Sequence, residues 1–327
     1  MSVSHAFETA AQQVSAKLNL SRSEAKLEAQ LLLQHALNVN RAWLIAHADD
    51  VLNGFEMANF NALVERRLNG EPIAYILGYR EFYGLNLKVT PATLIPRADT
   101  ETLVDAALAK IPQNDNISSL SFPRKRGSLL NLNQRLNLNQ KMDSRFRGND
   151  GNSEIADSNK QPCILDLGTG TGAIALAIAK HRPHTLVTAV DFSAAALKIA
   201  QQNAQDLTVL NCQFLLSDWF SALNDQTFDV IVSNPPYIEA DDTHLSLGDL
   251  RFEPISALAS GADGLDAIRI IVENSKNHLK TNGWLLLEHG YNQVENVASL
   301  LTQAGFSGIE TYQDLGGNNR VTLGTLC

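Results

Sequence analysis

The sequence predicts an α/β fold in which a parallel β-sheet is covered by helices on both faces and preceded by a smaller helical domain. Two observations lead to this prediction. From Pro162 onward, short apolar strands alternate with helical segments, which is typical of parallel sheets buried on both sides. Residues 1–75 show helical periodicity instead. The N-terminal domain therefore precedes the sheet and is built from helices.

Composition and charge limit the possible functions. The chain has 327 residues with 44% hydrophobic and 19% charged residues, as expected for a soluble globular protein of about two domains. Its net charge of -9 disfavours general binding to nucleic acid, because phosphate contacts require Lys and Arg. Three scattered cysteines without a CxxC pattern argue against a disulfide framework or a metal site. No signal peptide or membrane-spanning run is evident, so we expect a cytoplasmic protein that has no membrane segment.

The helical domain is predicted from local start and stop signals. Ser21 and Glu24 have the spacing of a capping box, and apolar residues recur after them at helical intervals. A later segment with the same period ends at Gly70, a good helix terminator. These signals assign residues 1–75 to the helical domain.

A β-hairpin is predicted to follow as a linker over residues 76–95, because aromatic and β-branched residues alternate around Gly84. Asp99 or Thr100 is then expected to cap the first helix of a larger domain over residues 96–327.

The segment 113–160 differs in composition from the rest of the chain. Asn, Ser, Gly, Gln and charged residues dominate it, and "NLNQRLNLNQ" is an imperfect internal repeat. Such a segment buries too little apolar surface to offset the entropy lost on ordering. We expect a disordered insertion between a helix and the first strand of the sheet.

Four predicted strands end in residues suited to ligand binding, and ligands of open α/β sheets bind beyond these carboxyl ends. The first strand leads into "DLGTGTG", whose Gly168, Gly170 and Gly172 allow a tight turn and a close approach to a ligand. This loop alone is ambiguous, because Gly168, Gly170 and Ala173 also satisfy the dinucleotide pattern GxGxxG/A.

The second and third strand ends favour an adenosine group. Asp191 ends the second strand, where a carboxylate can accept hydrogen bonds from both hydroxyls of a ribose. Asp218 and Trp219 follow the third strand, where the carboxylate can accept from an adenine amino group and the indole can cover the ring. These residues indicate the ligand class without distinguishing a dinucleotide from other adenosine ligands.

The fourth strand ends in Asn234-Pro235-Pro236-Tyr237. Two prolines cannot donate to a sheet ladder, so the strand stops at a stiff turn. A backbone carbonyl freed by the prolines and the Asn234 side-chain carbonyl can together accept both N–H bonds of a planar –NH2 group, over which Tyr237 can pack. Such a group is a poor nucleophile, and rigid positioning lowers the cost of its attack. An adenosyl methyl donor accounts for all four strand ends.

With these motifs the sequence resembles the class I S-adenosylmethionine-dependent methyltransferases that carry NPPY, and among them the release factor glutamine N5-methyltransferases (the HemK/PrmC family). The resemblance covers nearly the whole chain and includes "REFYGLNLKVTPATLIPRADTE", "ILDLGTGTGAIALAIA", "IVSNPPYIEADDTHL", "RFEP", "LLLEHG" and "NNRVTLG". NPPY alone is shared with DNA amino methyltransferases. Its combination with "LIPRADTE" and a helical N-terminal domain is more specific.

The resemblance implies a Rossmann-like, seven-stranded class I methyltransferase sheet. We expect a monomer. It also implies methyl transfer from S-adenosylmethionine, leaving S-adenosylhomocysteine, to the glutamine side-chain amide in the GGQ loop of peptide chain release factors. The helical domain would help to bind the release factor. The insertion at 113–160 departs from the family.

The resemblance also assigns site residues. The residues that would hold the cofactor are Gly168, Thr169, Gly170, Thr171 and Gly172 at its methionine part, Asp191 at the ribose, Trp219 at the adenine, and Asn234. Asn234 and Pro235 would bind the glutamine amide and act in catalysis with Tyr237, and Pro236 would complete the pocket. Arg97 of "IPRADTE" would lie near the substrate channel, and no metal is implied.

Three alternatives stay open at this point. The first is a nucleic-acid methyltransferase acting on adenine N6, which would have to flip its base and hold the phosphate backbone. The second is a non-catalytic adenosine-binding module, against which the intact Asn234 and glycine loop argue. The third is a nicotinamide oxidoreductase, which would leave the NPPY turn unexplained.

Overall fold

The structure is a computed structural model that describes residues 1–112 and 161–327. The predicted disordered insertion at 113–160 lies outside the described residues. Residues 1–112 and 162–327 form one compact unit.

Five helices open the chain and share a hydrophobic core of their own, in which Leu32, Leu33 and Phe60 are almost fully buried. Ser21 and Glu24 form the predicted capping box. The five helices are Val3–Leu18 (α1), Arg22–Leu37 (α2), Arg41–Ala46 (α3), Gly54–Leu68 (α4) and Ile73–Leu77 (α5).

The predicted hairpin around Gly84 is confirmed, with strands Tyr79–Phe82 (β1) and Leu85–Lys88 (β2). Its two turn residues, Tyr83 and Gly84, have φ of 51° and 74°, as a type I′ turn requires. The strands are shorter than the predicted 76–95 segment because α5 extends to Leu77.

A seven-stranded sheet forms the centre of the larger part of the molecule, with the strand order β5-β4-β3-β6-β7-β9-β8. Neighbouring strands are parallel except for β9, which runs antiparallel to both β7 and β8. The seven strands are Cys163–Leu167 (β3), Leu186–Asp191 (β4), Cys212–Leu216 (β5), Phe228–Ser233 (β6), Leu279–Glu288 (β7), Ser307–Gln313 (β8) and Asn319–Thr325 (β9). The predicted seven-stranded sheet is confirmed.

Helices cover both faces of this sheet, because successive residues of a strand point to opposite sides. Ile164 packs on one face with residues of α6 and α7, whereas Leu165 and Leu167 pack on the other face with residues of α9. The helices of this part are Glu101–Lys110 (α6), Ala173–His181 (α7), Ala194–Asp206 (α8), Asp266–Ser275 (α9) and Val294–Gln303 (α10).

The start of α6 differs from the prediction that Asp99 or Thr100 caps it. A 3₁₀ turn, Ala98–Thr100, precedes the helix, and no side chain caps it. Both candidates have distant partners instead: Asp99 pairs with Arg320 at 3.0 Å, and Thr100 accepts from Asn234. Tertiary contacts override the local capping preference here.

None of the helices formed by residues 1–112 and 161–327 is both long and apolar enough to span a bilayer.

Candidate active site

Two of the predicted strand ends are neighbours in the sheet. Leu167 of β3 is paired with Ser233 of β6, so Gly168 and Asn234 leave the sheet side by side. The chain runs from β3 through β4 to β5 on one side of β3 and then crosses back to β6 on its other side, which makes this the topological switch point where α/β proteins bind ligands. A cavity of about 390 Å³ opens here. All four strand ends contribute to its walls, through Gly168, Gly170, Asp191, Asp218, Trp219, Asn234, Pro235 and Pro236.

The glycine loop contributes backbone to this cavity rather than side chains. Gly168 and Gly170 line it, and both have positive φ, 71° and 55°. The Thr169 hydroxyl turns inward and donates to Asp166 Oδ2 at 2.6 Å. Thr171 is buried, and a Cβ added at Gly172 would lie 3.1 Å from Leu176 Cδ1. Of the five loop residues, Gly168 and Gly170 are therefore the two that reach the cavity wall.

Asp191 is held by two backbone donors. Its Oδ2 accepts from Gly170 N and its Oδ1 accepts from Ser193 N, each at 2.8 Å. Burial raises the pKa of the carboxyl, and these two hydrogen bonds oppose the rise. Each oxygen keeps a further lone pair, so the fixed carboxylate can accept one hydroxyl on each oxygen.

Trp219 and Asp218 form a further part of the cavity wall, next to the glycine loop. A Cβ at Gly168 would lie 3.8 Å from the Trp219 ring, which shows how close the indole is to the loop. Trp219 has a φ of 47°, an unusual conformation for a bulky residue, and its carbonyl accepts the Ser217 hydroxyl at 2.7 Å. The half-buried indole and the exposed Asp218 carboxylate both face the cavity.

The Asn234 side chain is oriented by a hydrogen bond from a distant segment. Its Nδ2 donates to Thr100 Oγ1 at 3.1 Å, whereas Oδ1 accepts from no donor among the described residues. The Pro235 carbonyl likewise accepts no hydrogen bond from the residues that the structure describes. The turn therefore offers two uncommitted oxygen acceptors on residues that line the cavity.

A second cavity of about 70 Å³ adjoins the turn from the other side. Asn234 and Pro235 line both cavities, and Arg97 and Tyr237 line only the smaller one. The Tyr237 hydroxyl donates to Glu288 Oε1 at 3.4 Å, and burial raises its pKa well above the usual range. Tyr237 therefore stays neutral: its side chain lines the smaller cavity, and its hydroxyl donates a hydrogen bond.

Arg97 is fixed by a buried carboxylate. Its guanidinium forms an ion pair with Glu253, whose side chain is 0% exposed and also accepts from Ile95 N at 2.9 Å. Burial raises the pKa of Glu253, and Arg97 opposes the rise. The ion pair connects the stretch before α6 to the segment that follows the NPPY turn.

Curated relatives match almost the whole chain. The release factor glutamine methyltransferase of Escherichia coli (strain K12) is 43% identical over 307 residues, covering 93% of this chain and 94% of the relative. That of Xylella fastidiosa (strain Temecula1) is 44% identical over 299 residues, covering 91% and 92%. That of Coxiella burnetii (strain RSA 493) is 40% identical over 314 residues, covering 96% of each chain. The chain belongs to the release factor glutamine methyltransferase family.

Two family models match separate parts of this methyltransferase. The PrmC N-terminal domain matches residues 9–78, and the methyltransferase small domain matches residues 153–253. The resemblance stated from the sequence is confirmed. The nucleic-acid alternative gains no support from these relatives.

Sequence reasoning missed three polar residues around the site of this methyltransferase. Asp166 is fully buried beside the glycine loop; burial raises its pKa to about 7, and its Oδ1 has no partner among the described residues. Thr100 and Glu288 lie behind the NPPY turn. For Asp166 and Glu288 the available signal was an acid at the end or in the last positions of an apolar strand, as in "ILDLG" and "LLLEHG".

Proposed function

We propose that the protein transfers a methyl group from S-adenosylmethionine to the side-chain amide nitrogen (N5) of the glutamine in the GGQ motif of peptide chain release factors. One observation carries the proposal. Asn234 stands between a large cavity and a small one, and its Nδ2 is engaged by Thr100, which leaves Oδ1 as an acceptor. An acceptor at a junction of two cavities suits a reaction between two bound groups.

The large cavity fits the cofactor. Asp191 would hold the ribose with two carboxylate oxygens already fixed by backbone donors, and Trp219 would lie against the adenine. Gly168 and Gly170 would let the methionine part approach the backbone closely. Asp166 lies buried beside this loop with an unpaired Oδ1, and a cationic ligand would favour its ionised form.

The small cavity would receive the glutamine amide. Asn234 Oδ1 and the Pro235 carbonyl would each accept one N–H bond, which fixes the nitrogen and stabilises the positive charge that develops on it. When bound, S-adenosylmethionine supplies the methyl group on a sulfonium. The turn would hold the amide nitrogen against this methyl group; transfer would form the nitrogen–carbon bond as the carbon–sulfur bond breaks, leaving S-adenosylhomocysteine, and the proton lost from the nitrogen would pass to water.

The remaining residues would shape the substrate site. Pro235 and Pro236 make the turn rigid, so little freedom is lost when the amide is positioned. Neutral Tyr237 would pack over the planar amide, and Arg97 would face the peptide at the entrance of the small cavity. We further propose that the N-terminal helices bind the body of the release factor.

Intact-mass analysis of a release factor incubated with the protein and S-adenosylmethionine tests this function. We expect a mass increase of one methyl group, located on the GGQ peptide. A release factor in which the GGQ glutamine is replaced by alanine is the matched control and should gain nothing. Methylation of a DNA oligonucleotide instead of the release factor would overturn the proposal.

A further inference from the structure

The two ends of an asparagine carboxamide have nearly the same shape, so hydrogen bonds decide which end faces a ligand. In the proposed reaction the oxygen of Asn234 has to face the substrate amide. An NH2 group there would place its hydrogens against the hydrogens of the substrate NH2 group, and neither group could accept. The partner of Asn234 in the fold is Thr100, whose Oγ1 lies 3.1 Å from Nδ2. A hydroxyl can donate or accept, so Thr100 alone does not fix the orientation.

A buried carboxyl completes this network. Glu288, at the end of β7, is 1% exposed; its Oε1 accepts from the Tyr237 hydroxyl at 3.4 Å, and its buried Oε2 has no hydrogen-bond partner among the described residues. The Thr100 hydroxyl lies close enough to this carboxyl to lower its pKa. Thr100 is 4% exposed and makes no capping bond with α6, although it occupies the capping position. Its hydroxyl is therefore not committed to the helix and can interact with both Asn234 and Glu288.

We propose that Thr100 and Glu288 are positioning residues that together fix the oxygen of Asn234 toward the substrate cavity. This inference rests on the proposed function. An ionised Glu288 can only accept hydrogen bonds, so the Thr100 hydroxyl would donate a hydrogen bond to its unpartnered Oε2. The Thr100 oxygen then accepts from Asn234 Nδ2, and Asn234 Oδ1 is left pointing at the substrate.

Protonation of Glu288 would weaken this arrangement, because a protonated carboxyl donates and frees the Thr100 hydroxyl to donate toward Asn234. Burial raises the pKa of Glu288 to about 7, opposed by Thr100, Arg320 and Tyr237 and reinforced by Asp99. The neighbouring His289 has its pKa lowered by burial, so it is neutral through this range. Turnover should therefore rise with pH as Glu288 ionises.

The test compares four variants by kcat and KM for a GGQ peptide and by S-adenosylhomocysteine affinity, across a pH range centred on about 7. Thr100→Val removes the hydroxyl at constant shape, Thr100→Ser keeps it, and Glu288→Gln keeps the volume without the charge. Thr188→Val is the matched control: Thr188 is 2% exposed, and its hydroxyl accepts from Gln213 at 2.8 Å within the sheet.

We expect Thr100→Val to lower kcat about tenfold or more, the effect of one buried hydrogen bond, with KM and S-adenosylhomocysteine affinity within about twofold of the wild type. Thr100→Ser should restore kcat, and Thr188→Val should affect melting but not turnover. Glu288→Gln should abolish the rise of kcat near neutral pH.

Two results would overturn the inference: wild-type turnover in Thr100→Val, or an unchanged pH profile in Glu288→Gln. Should Thr100→Val fail to fold, the Glu288→Gln profile decides by itself. A wild-type enzyme that methylates no GGQ peptide would overturn the proposed function as well. An active wild type with unaffected variants would overturn this inference alone.

Discussion

Replacing Arg97 with alanine should destabilise the protein in a pH-dependent manner. The substitution leaves the Glu253 carboxylate, which is 0% exposed, with one backbone donor, Ile95 N at 2.9 Å. Removing one partner of a fully buried ion pair costs ~3–5 kcal/mol, because a desolvated charge is left behind. The Arg97 side chain is 35% exposed, so water already screens the pair and we expect a loss of ~1–3 kcal/mol.

The pH dependence of this destabilisation follows from the ionisation of the Glu253 carboxyl. Burial holds the pKa of Glu253 above its ordinary value, and loss of Arg97 raises it further. A carboxyl whose pKa is higher in the folded state binds its proton more tightly there, so the folded state is favoured as the pH falls. The destabilisation by Arg97→Ala should therefore be large at about pH 8 and small at about pH 5.

Urea unfolding of the full chain at both pH values measures this effect. Glu253→Gln provides the matched background, because it keeps the shape and removes the charge. In that background Arg97→Ala should cost less than ~1 kcal/mol, and the difference between the two costs is the coupling energy of the pair. An equal loss in both backgrounds, or at both pH values, would refute the reasoning.

Three further predictions concern the site and its support. Asn234→Ala should lower kcat about 10²–10³-fold, as for loss of one group that stabilises transition-state charge, while S-adenosylhomocysteine affinity stays within about threefold; unchanged turnover would contradict its role. Asp191→Ala should weaken S-adenosylhomocysteine binding about 100-fold in a calorimetric titration, since two charge-assisted hydrogen bonds are lost, and an unaltered affinity would contradict the ribose assignment. Gly70→Ala should destabilise by ~1–2 kcal/mol, because φ is +90° and the new Cβ would lie 1.7 Å from Arg251 Nη2. Gly54→Ala, where nothing lies within 4 Å, is its control, and equal melting of the two variants would contradict the steric argument.

The sequence predicts the sheet and its ligand-binding edge because each strand ends at a local signal. Glycines follow β3 and prolines follow β6, and both signals act within a few residues of the strand end. The pairing of Leu167 with Ser233 then places the two motifs side by side. The capping box at Ser21 is predictable for the same local reason.

The supporting polar residues could not be predicted, because their partners are far away in the sequence. Thr100 bonds to Asn234 across 134 residues, and Glu253 bonds to Ile95 across 158. Local preference predicted that Thr100 caps α6, but in the fold its hydroxyl accepts a hydrogen bond from Asn234 instead. Which end of the Asn234 carboxamide faces the cavity follows from such a contact, so it requires the fold.

The most direct measurement is a crystal structure of the protein with S-adenosylhomocysteine and a GGQ peptide. The account predicts the glutamine amide nitrogen in the small cavity, ~2.7–3.2 Å from both Asn234 Oδ1 and the Pro235 carbonyl oxygen. The nitrogen should also point at the cofactor sulfur. A glutamine side chain bound elsewhere, or an Asn234 carboxamide turned away from the peptide, would contradict it.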